Sequence, residues 1–195
     1  MIALLKKWKK RMALCRAIRE CSFQRVEALL NNGLDVNFVM GGSSPLSQAA
    51  WKLYGSIDCR SSADTERKVL DVLIACGASA NMPGNDSLLI AAALMGDHQL
   101  IDMALNGGQD LHFRPPSTPT PLQAAAFKNR TETMKYLISK GATKEDFNVQ
   151  KCRWTSIHSE TIRILLELGV DVPFDVAESV RNGKWISDLC DRVKS

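Results

Sequence analysis

No stretch of this sequence approaches the roughly 20 consecutive apolar residues that a membrane-spanning helix needs. An export signal would place charge first and an apolar run of about 7–15 residues after it. Here the order is reversed, since Met1-Ile2-Ala3-Leu4-Leu5 runs straight into Lys6-Lys7-Trp8-Lys9-Lys10-Arg11. A cytosolic protein is the expectation, with delivery into a host cell as an effector by some other signal left open. Disulfide chemistry is also thinly supported. The six cysteines (Cys15, Cys21, Cys59, Cys76, Cys152, Cys190) contain no Cys-x-x-Cys pair and are not dense enough for a stapled scaffold. Several fall among apolar residues at helical spacing, which predicts buried free thiols. His98, His112 and His158 lie far apart, none at a zinc-type spacing from a cysteine, so no metal site is expected. Phosphate loop, nucleophile elbow and His-rich metal helix are all missing. The acids Asp97, Asp102, Glu132 and Glu160 fall at helix starts or outer faces, where a carboxylate complements the helix dipole without a base beside it. Neither an enzyme nor a cofactor-dependent protein is predicted.

What the chain does have is an uneven charge and an internal period. Its 195 residues carry a net charge of +4. Residues 1–25 alone hold eight Lys or Arg (Lys6, Lys7, Lys9, Lys10, Arg11, Arg16, Arg19, Arg25) against the single acid Glu20, which leaves the remainder slightly acidic. Several segments share one pattern: a short apolar helix, a polar turn, a second helix rich in Leu, Ile and Val, then a glycine. The clearest runs from Leu88 to Gly108, and the next from Thr120 to Gly141. Ser87 to Thr120 and Gly108 to Gly141 are both separations of 33 residues. Such a period marks stacked units, because one helical hairpin cannot bury its apolar face alone.

Thr120-Pro121-Leu122 with Ala125-Ala126, Ser44-Pro45-Leu46 with Ala49-Ala50, and the endings Gly33-Leu34-Asp35-Val36-Asn37, Gly77-Ala78-Ser79-Ala80-Asn81 and Gly169-Val170-Asp171-Val172 resemble the ankyrin-repeat family. That unit reads Thr-Pro-Leu-His-x-Ala-Ala, a turn glycine, a second helix, then Gly-Ala-Asp-Val-Asn. The resemblance extends from about Met12 to Val193 and implies an all-α solenoid of about five stacked helix-turn-helix units with short β-like fingers, in one domain over residues 1–195. Pro suits the first helical turn, where its missing N–H would have no partner. Paired alanines allow close helix approach, and glycine suits the left-handed helix end.

Three departures from the pattern carry their own expectations. Residues 1–11 read as a basic extension of the first helix. Ser44 to Ser87 spans 43 residues, and the surplus is placed in an inserted loop at 53–64. The segment from Phe147 to Ile157 is short for a finger plus a first helix, and 174–195 reads as a C-terminal capping helix pair.

The resemblance also implies a function. The family holds protein partners on its concave side, through finger tips and positions near the end of each first helix. Those positions here hold Arg19, Trp51, Leu94, Phe127 and, in the terminal unit, Arg181, followed by Glu20, Lys52, Met95, Lys128 and Asn182. Trp51, Leu94 with Met95, and Phe127 would form an apolar stripe of the kind that marks interaction sites. Internal packing is the alternative. Finger candidates are Phe38, Val39, Met40, Met82, Phe113 and Arg114. The basic flanks favour an acidic rim on the partner protein, and the expected role is inhibitor, adaptor or effector, by occlusion or scaffolding. The alternative is a nucleic-acid or anionic-membrane-surface binder acting through the basic N-terminal segment, where Leu4, Leu5 and Trp8 beside the lysines are amphipathic.

Overall fold

A computed structural model describes residues 2–58, 64–82, 88–114 and 119–182. The expected all-α class is what it contains. Ten α-helices are present among the described residues, with no sheet and a single isolated antiparallel bridge, Met40 with Ser43. Contacts divide the chain into two compact units, one of Met1–Ala92 with Leu100–Gln109, the other of Ala93–Gln99 with Asp110–Ser195.

The first unit begins with α1 (Ile2–Arg19), α2 (Phe23–Asn31), α3 (Pro45–Asp58) and α4 (Asp64–Ala75). α1 packs on α2 and α3, α2 on α4, and α3 on α4, so each hairpin shares its core with the next. Leu14, Ile18, Leu46, Leu70 and Leu73 are fully buried there. α5 (Leu88–Met95) and α6 (His98–Asn106) are each divided between the units. The second unit goes on with α7 (Pro121–Phe127), α8 (Thr131–Ser139), α9 (Ser159–Glu167) and α10 (Phe174–Arg181). There α8 packs on α7 and α9, and α9 on α10, around Leu122, Met134, Leu137, Ile162 and Leu165.

The local chemistry agrees with the sequence signals. Thr120 caps α7, its hydroxyl accepting from the Gln123 N–H at 3.1 Å, with Pro121 at the first helical position. Ser44 does the same for Ser47 at the start of α3. Each of five second helices closes with a bond from the N–H three residues past its end to the carbonyl five residues back. The donors are Leu34, Ala78, Gln109, Ala142 and Val170, and the acceptors Leu29, Leu73, Ala104, Leu137 and Leu165. This closure needs a left-handed residue just before the donor, and Gly77 (φ +81°) and Gly141 (φ +109°) supply it. Ala49, Ala50, Ala125 and Ala126 are buried, as close helix approach requires.

Three features differ from the expectations. The surplus of the second repeat is not a loop from 53 to 64. α3 continues to Asp58, because Leu53 extends the buried series Leu46, Ala49, Ala50 at helical spacing. Residues 59–63 lie outside the described residues. In the fifth repeat the first helix is replaced by three short 3₁₀ turns at Lys144–Asp146, Val149–Lys151 and Trp154–Ser156. Phe147 is buried there and packs at 5.9 Å from the Trp154 ring. The thiols also differ, since Cys15 is buried but Cys76 is exposed and Cys21 and Cys152 are half-buried. Cys59, Cys190 and the second helix expected in the C-terminal cap fall outside the described residues.

Two glycines should respond to alanine with opposite signs. Gly55 is an exposed position within α3, and a methyl there meets no atom within 4 Å. Gly55→Ala should raise unfolding free energy by about 0.5–1 kcal/mol. At Gly107 the added carbon would lie 2.7 Å from the Ala80 Cβ and 3.1 Å from the Asn81 N. Gly107→Ala should therefore cost about 1–3 kcal/mol, and urea unfolding of the two variants side by side checks both signs.

Candidate functional site

Two helix faces in the first unit carry sequence-selected residues, and one contact joins them. On α1, Arg19 stands one turn beyond Cys15. On α3, Trp51 and Lys52 stand three and four residues beyond Gln48. Residues at these spacings share a helix face. The Gln48 side-chain amide donates to the Cys15 Sγ at 3.7 Å and to the Ser43 carbonyl at the base of the first finger at 3.5 Å. Arg19, Trp51 and Lys52 thus belong to adjoining faces. Arg19 and Lys52 are exposed, and Trp51 is half-buried. The Trp51 ring meets Tyr54 edge-on, with centroids 5.8 Å apart and planes at 83°. On the finger, Phe38 is buried beneath the Arg11 guanidinium at 4.8 Å, Met40 is half-buried and Val39 exposed. Met82 is half-buried.

Behind Lys52 lies a small polar cluster. Ser56 donates to the Glu66 carboxylate at 2.8 Å and the Cys21 thiol lies 3.4 Å from the same oxygen. Burial alone would raise the Glu66 carboxyl, but the Ser56 bond, its own backbone, Cys21 and Lys52 hold it below the usual range. Burial pushes the Cys21 thiol up, and the adjacent Glu66 carboxylate pushes it further.

In the second unit the predicted residues fare unequally. Leu94 and Met95 were expected at the surface, and the structure corrects this: they are 8% and 9% exposed. The cause is α5 itself, Leu-Leu-Ile-Ala-Ala-Ala-Leu-Met, which is apolar all round and therefore buried all round. Phe127 and Lys128 are half-buried at the end of α7, and Arg181 is exposed at the end of α10. Phe113, 38% exposed, and Arg114 stand on the finger that precedes α7.

That finger is fixed by a residue that sequence reasoning missed. Asp146 is fully buried, and its carboxylate accepts from the Thr143 N–H at 2.8 Å. His112 Nδ1 stands 2.9 Å away and the Arg114 guanidinium 3.4 Å away, while the Thr120 hydroxyl donates to the Asp146 backbone carbonyl. One carboxylate thus gathers the finger, the α7 cap and the next turn. The other missed cluster is a stack. The His98 and Tyr136 rings lie 4.3 Å apart and nearly parallel, His98 Nε2 is 3.3 Å from the Thr133 hydroxyl, and the Lys140 ammonium sits 5.0 Å from the centre of the Tyr136 ring.

Among the described residues, no three His, Cys, Asp or Glu side chains are gathered where they could hold a metal ion. A cleft of about 420 Å³ lies between α1 and α2, lined by Ala13, Ala17, Ala28 and Leu29. Its carboxylate, Glu20, is gripped by Arg16 at 2.7 Å and Arg25 at 2.9 Å. The hydrogen bond from Arg16 above all keeps it below the ordinary carboxylate range. A carboxylate held ionised between two guanidiniums is poorly placed to exchange protons with a substrate.

Helical hairpins with one recurring cap, joined by short fingers whose backbones are tied by side chains, define a repeat protein with surfaces for contact. Residues 61–151 match the family model for ankyrin repeats, in three copies. That stretch of the chain is built of ankyrin repeats. A comparison with curated proteins gives no match. Ankyrin repeats generally mediate protein–protein interaction, and proteins built from them are typically non-enzymatic.

The buried carboxylate yields a direct expectation. Asp146→Ala should lower unfolding free energy by about 2–3 kcal/mol, since Thr143, His112 and Arg114 lose a charged acceptor at once. Denaturant unfolding measures this, and a loss below about 0.5 kcal/mol would show that the finger is held by something else.

Proposed function

We propose that this chain is a protein-binding module that carries out no chemistry on its partner and acts by occlusion or scaffolding, as an inhibitor, adaptor or effector. In the first unit the binding face comprises Arg19, Trp51 and Lys52 with the Met40 finger. In the second it comprises Phe127 and Lys128 with the finger residues Phe113 and Arg114. Met82 and Arg181 complete the proposed set of contact residues. The observation that carries the reading is Trp51, half-buried and braced edge-on by Tyr54, with the exposed cations Arg19 and Lys52 on adjoining faces. A rigid aromatic anchor beside guanidinium and ammonium groups is the composition of an interface hot spot. Cations around it favour a partner whose apolar patch has an acidic rim. The free thiols Cys15 and Cys76 suit a reducing compartment, so the cytoplasm, of its own cell or of a host, is the proposed site of action.

The test starts by identifying the partner through affinity purification and mass spectrometry, then measures its binding to purified full chain by calorimetry. Trp51→Ala and Phe127→Ala should each keep the helical circular dichroism signal and weaken binding by about 2 kcal/mol, roughly thirtyfold. Affinity unchanged in both variants would remove these faces from the interface. Turnover of any small molecule by the pure protein would remove the non-catalytic reading.

A further inference from the structure

The first helix is longer than its hairpin requires. α2, against which α1 packs, has nine residues, whereas α1 has 18. From Leu4 onward, the first buried residue of α1 is Leu14. Ahead of that point every residue from Leu4 to Lys10 is exposed, and Arg11 lies over Phe38. Residues 4–10 of this helix therefore bury no side chain in the unit it belongs to.

This end of the helix has two faces of its own. Leu4, Trp8 and Met12 fall one turn apart on a single stripe, with Leu5 beside them, and they are 74%, 54%, 38% and 55% exposed, respectively. Further along the same helix, α1 buries Leu14, Cys15, Ala17 and Ile18. Lys6, Lys7, Lys9 and Lys10 occupy the rest of the circumference, and all four are exposed. No acid occurs in residues 1–19. The first, Glu20, is already held by Arg16 and Arg25. Among the described residues, none of the four lysines has an acidic partner.

We propose that residues 4–12 of α1 form a second binding site, which lies flat in the interface of an anionic lipid bilayer. Leu4, Leu5, Trp8 and Met12 enter the boundary between headgroups and acyl chains, and the lysines reach out to lipid phosphates and carboxylates. Three features favour lipid over other polyanions. The cations at this end are mostly lysines, which are depleted from protein interface cores but extend their aliphatic stems readily over a membrane surface. The aromatic residue is tryptophan, which favours the headgroup level. A nucleic acid would engage the lysines through phosphates yet leave Leu4, Leu5 and Trp8 in water, because phosphate contacts ask nothing of an apolar stripe. No described helix is long and apolar enough to cross a membrane, so the geometry is that of a helix lying along the surface. A single short helix of this kind gives reversible attachment, sensitive to lipid charge.

Co-sedimentation of the full chain with vesicles tests the site. The protein should bind vesicles of equal parts phosphatidylcholine and phosphatidylserine, and bind pure phosphatidylcholine vesicles at least about tenfold less. The quadruple variant Lys6→Gln, Lys7→Gln, Lys9→Gln, Lys10→Gln should lose at least about a hundredfold in affinity for the anionic vesicles. Trp8→Ser with Leu4→Ser should lose at least about tenfold with the cations intact. Trp51→Ala, in another part of the unit, should bind vesicles like the parent chain. Far-ultraviolet circular dichroism confirms that each variant is folded. No vesicle binding overturns the proposal. So does binding that needs the lysines but is indifferent to Trp8 and Leu4, which would identify a general polyanion site, as would equal loss in Trp51→Ala.

Discussion

The constraint on which this structure depends is the backbone of its fingers. Helices satisfy their own amides, and a sheet would satisfy a finger, but the fingers here have no ladder among the described residues. A buried peptide group without a partner costs as much as a lost hydrogen bond, so side chains of neighbouring segments supply the bonds. The Asn37 side chain accepts from the Ser79 N–H and donates to the Gly77 carbonyl. That of Gln109 accepts from the Leu89 N–H and donates to the Ala80 carbonyl. In the second unit the Gln123 amide donates to the Asn148 carbonyl, and Asp146 holds its own finger as described. Stacking through apolar cores is non-directional and tolerates sliding. These polar bridges fix the register between one hairpin and the next.

The same division explains what could be read from the sequence. The Ser or Thr with Pro at a helix start, the paired alanines and the terminal glycines each obey local rules, so the positions of most hairpins follow from them. The length of α3 did not follow, because Gly55-Ser56-Ile57-Asp58 has weak local preference and reads as a loop. Leu53, packing into the core one turn after Ala49 and Ala50, shows that the helix carries on. For Leu94 and Met95 the deciding signal was present and outweighed: a repeat position implied exposure, while the unbroken apolar run of α5 implied burial. Asp146 was invisible for a different reason. Nothing in Lys144-Glu145-Asp146 distinguishes the buried carboxylate from the exposed one before it, since the distinction depends on His112 and Arg114, more than 30 residues upstream.

The turns between paired helices show how one backbone requirement is met by different chemistry. Each turn needs a left-handed residue. Gly96 supplies it at no steric cost (φ +78°), Asn129 with a modest one (φ +53°), and Cys21 with a larger one (φ +53°). Asn129 recovers the difference. Its carbonyl oxygen accepts from the His158 N–H at 2.7 Å and the Thr161 hydroxyl at 3.2 Å, and its amide donates to the Ser156 carbonyl at 3.2 Å. A glycine there would relax one turn and release the next. Cys21 uses its thiol on Glu66, which ties the first turn to α4. The fifth repeat lacks a helical first segment, and these bonds from Asn129 are what receive the start of α9 in its place.

This economy bears on function. Three carboxylates of the described fold serve as structural partners: Glu20 between two arginines, Glu66 under Ser56 and Cys21, Asp146 under His112 and Thr143. Among the groups facing solvent are lysines, arginines and apolar side chains such as Leu4, Trp8, Phe113 and Phe174, the last 76% exposed. Groups of that composition recognise by charge and area. A repeat fold suits this use, because its polar bridges and helix caps fix the backbone without engaging those residues, and the surface can then diverge while the register holds.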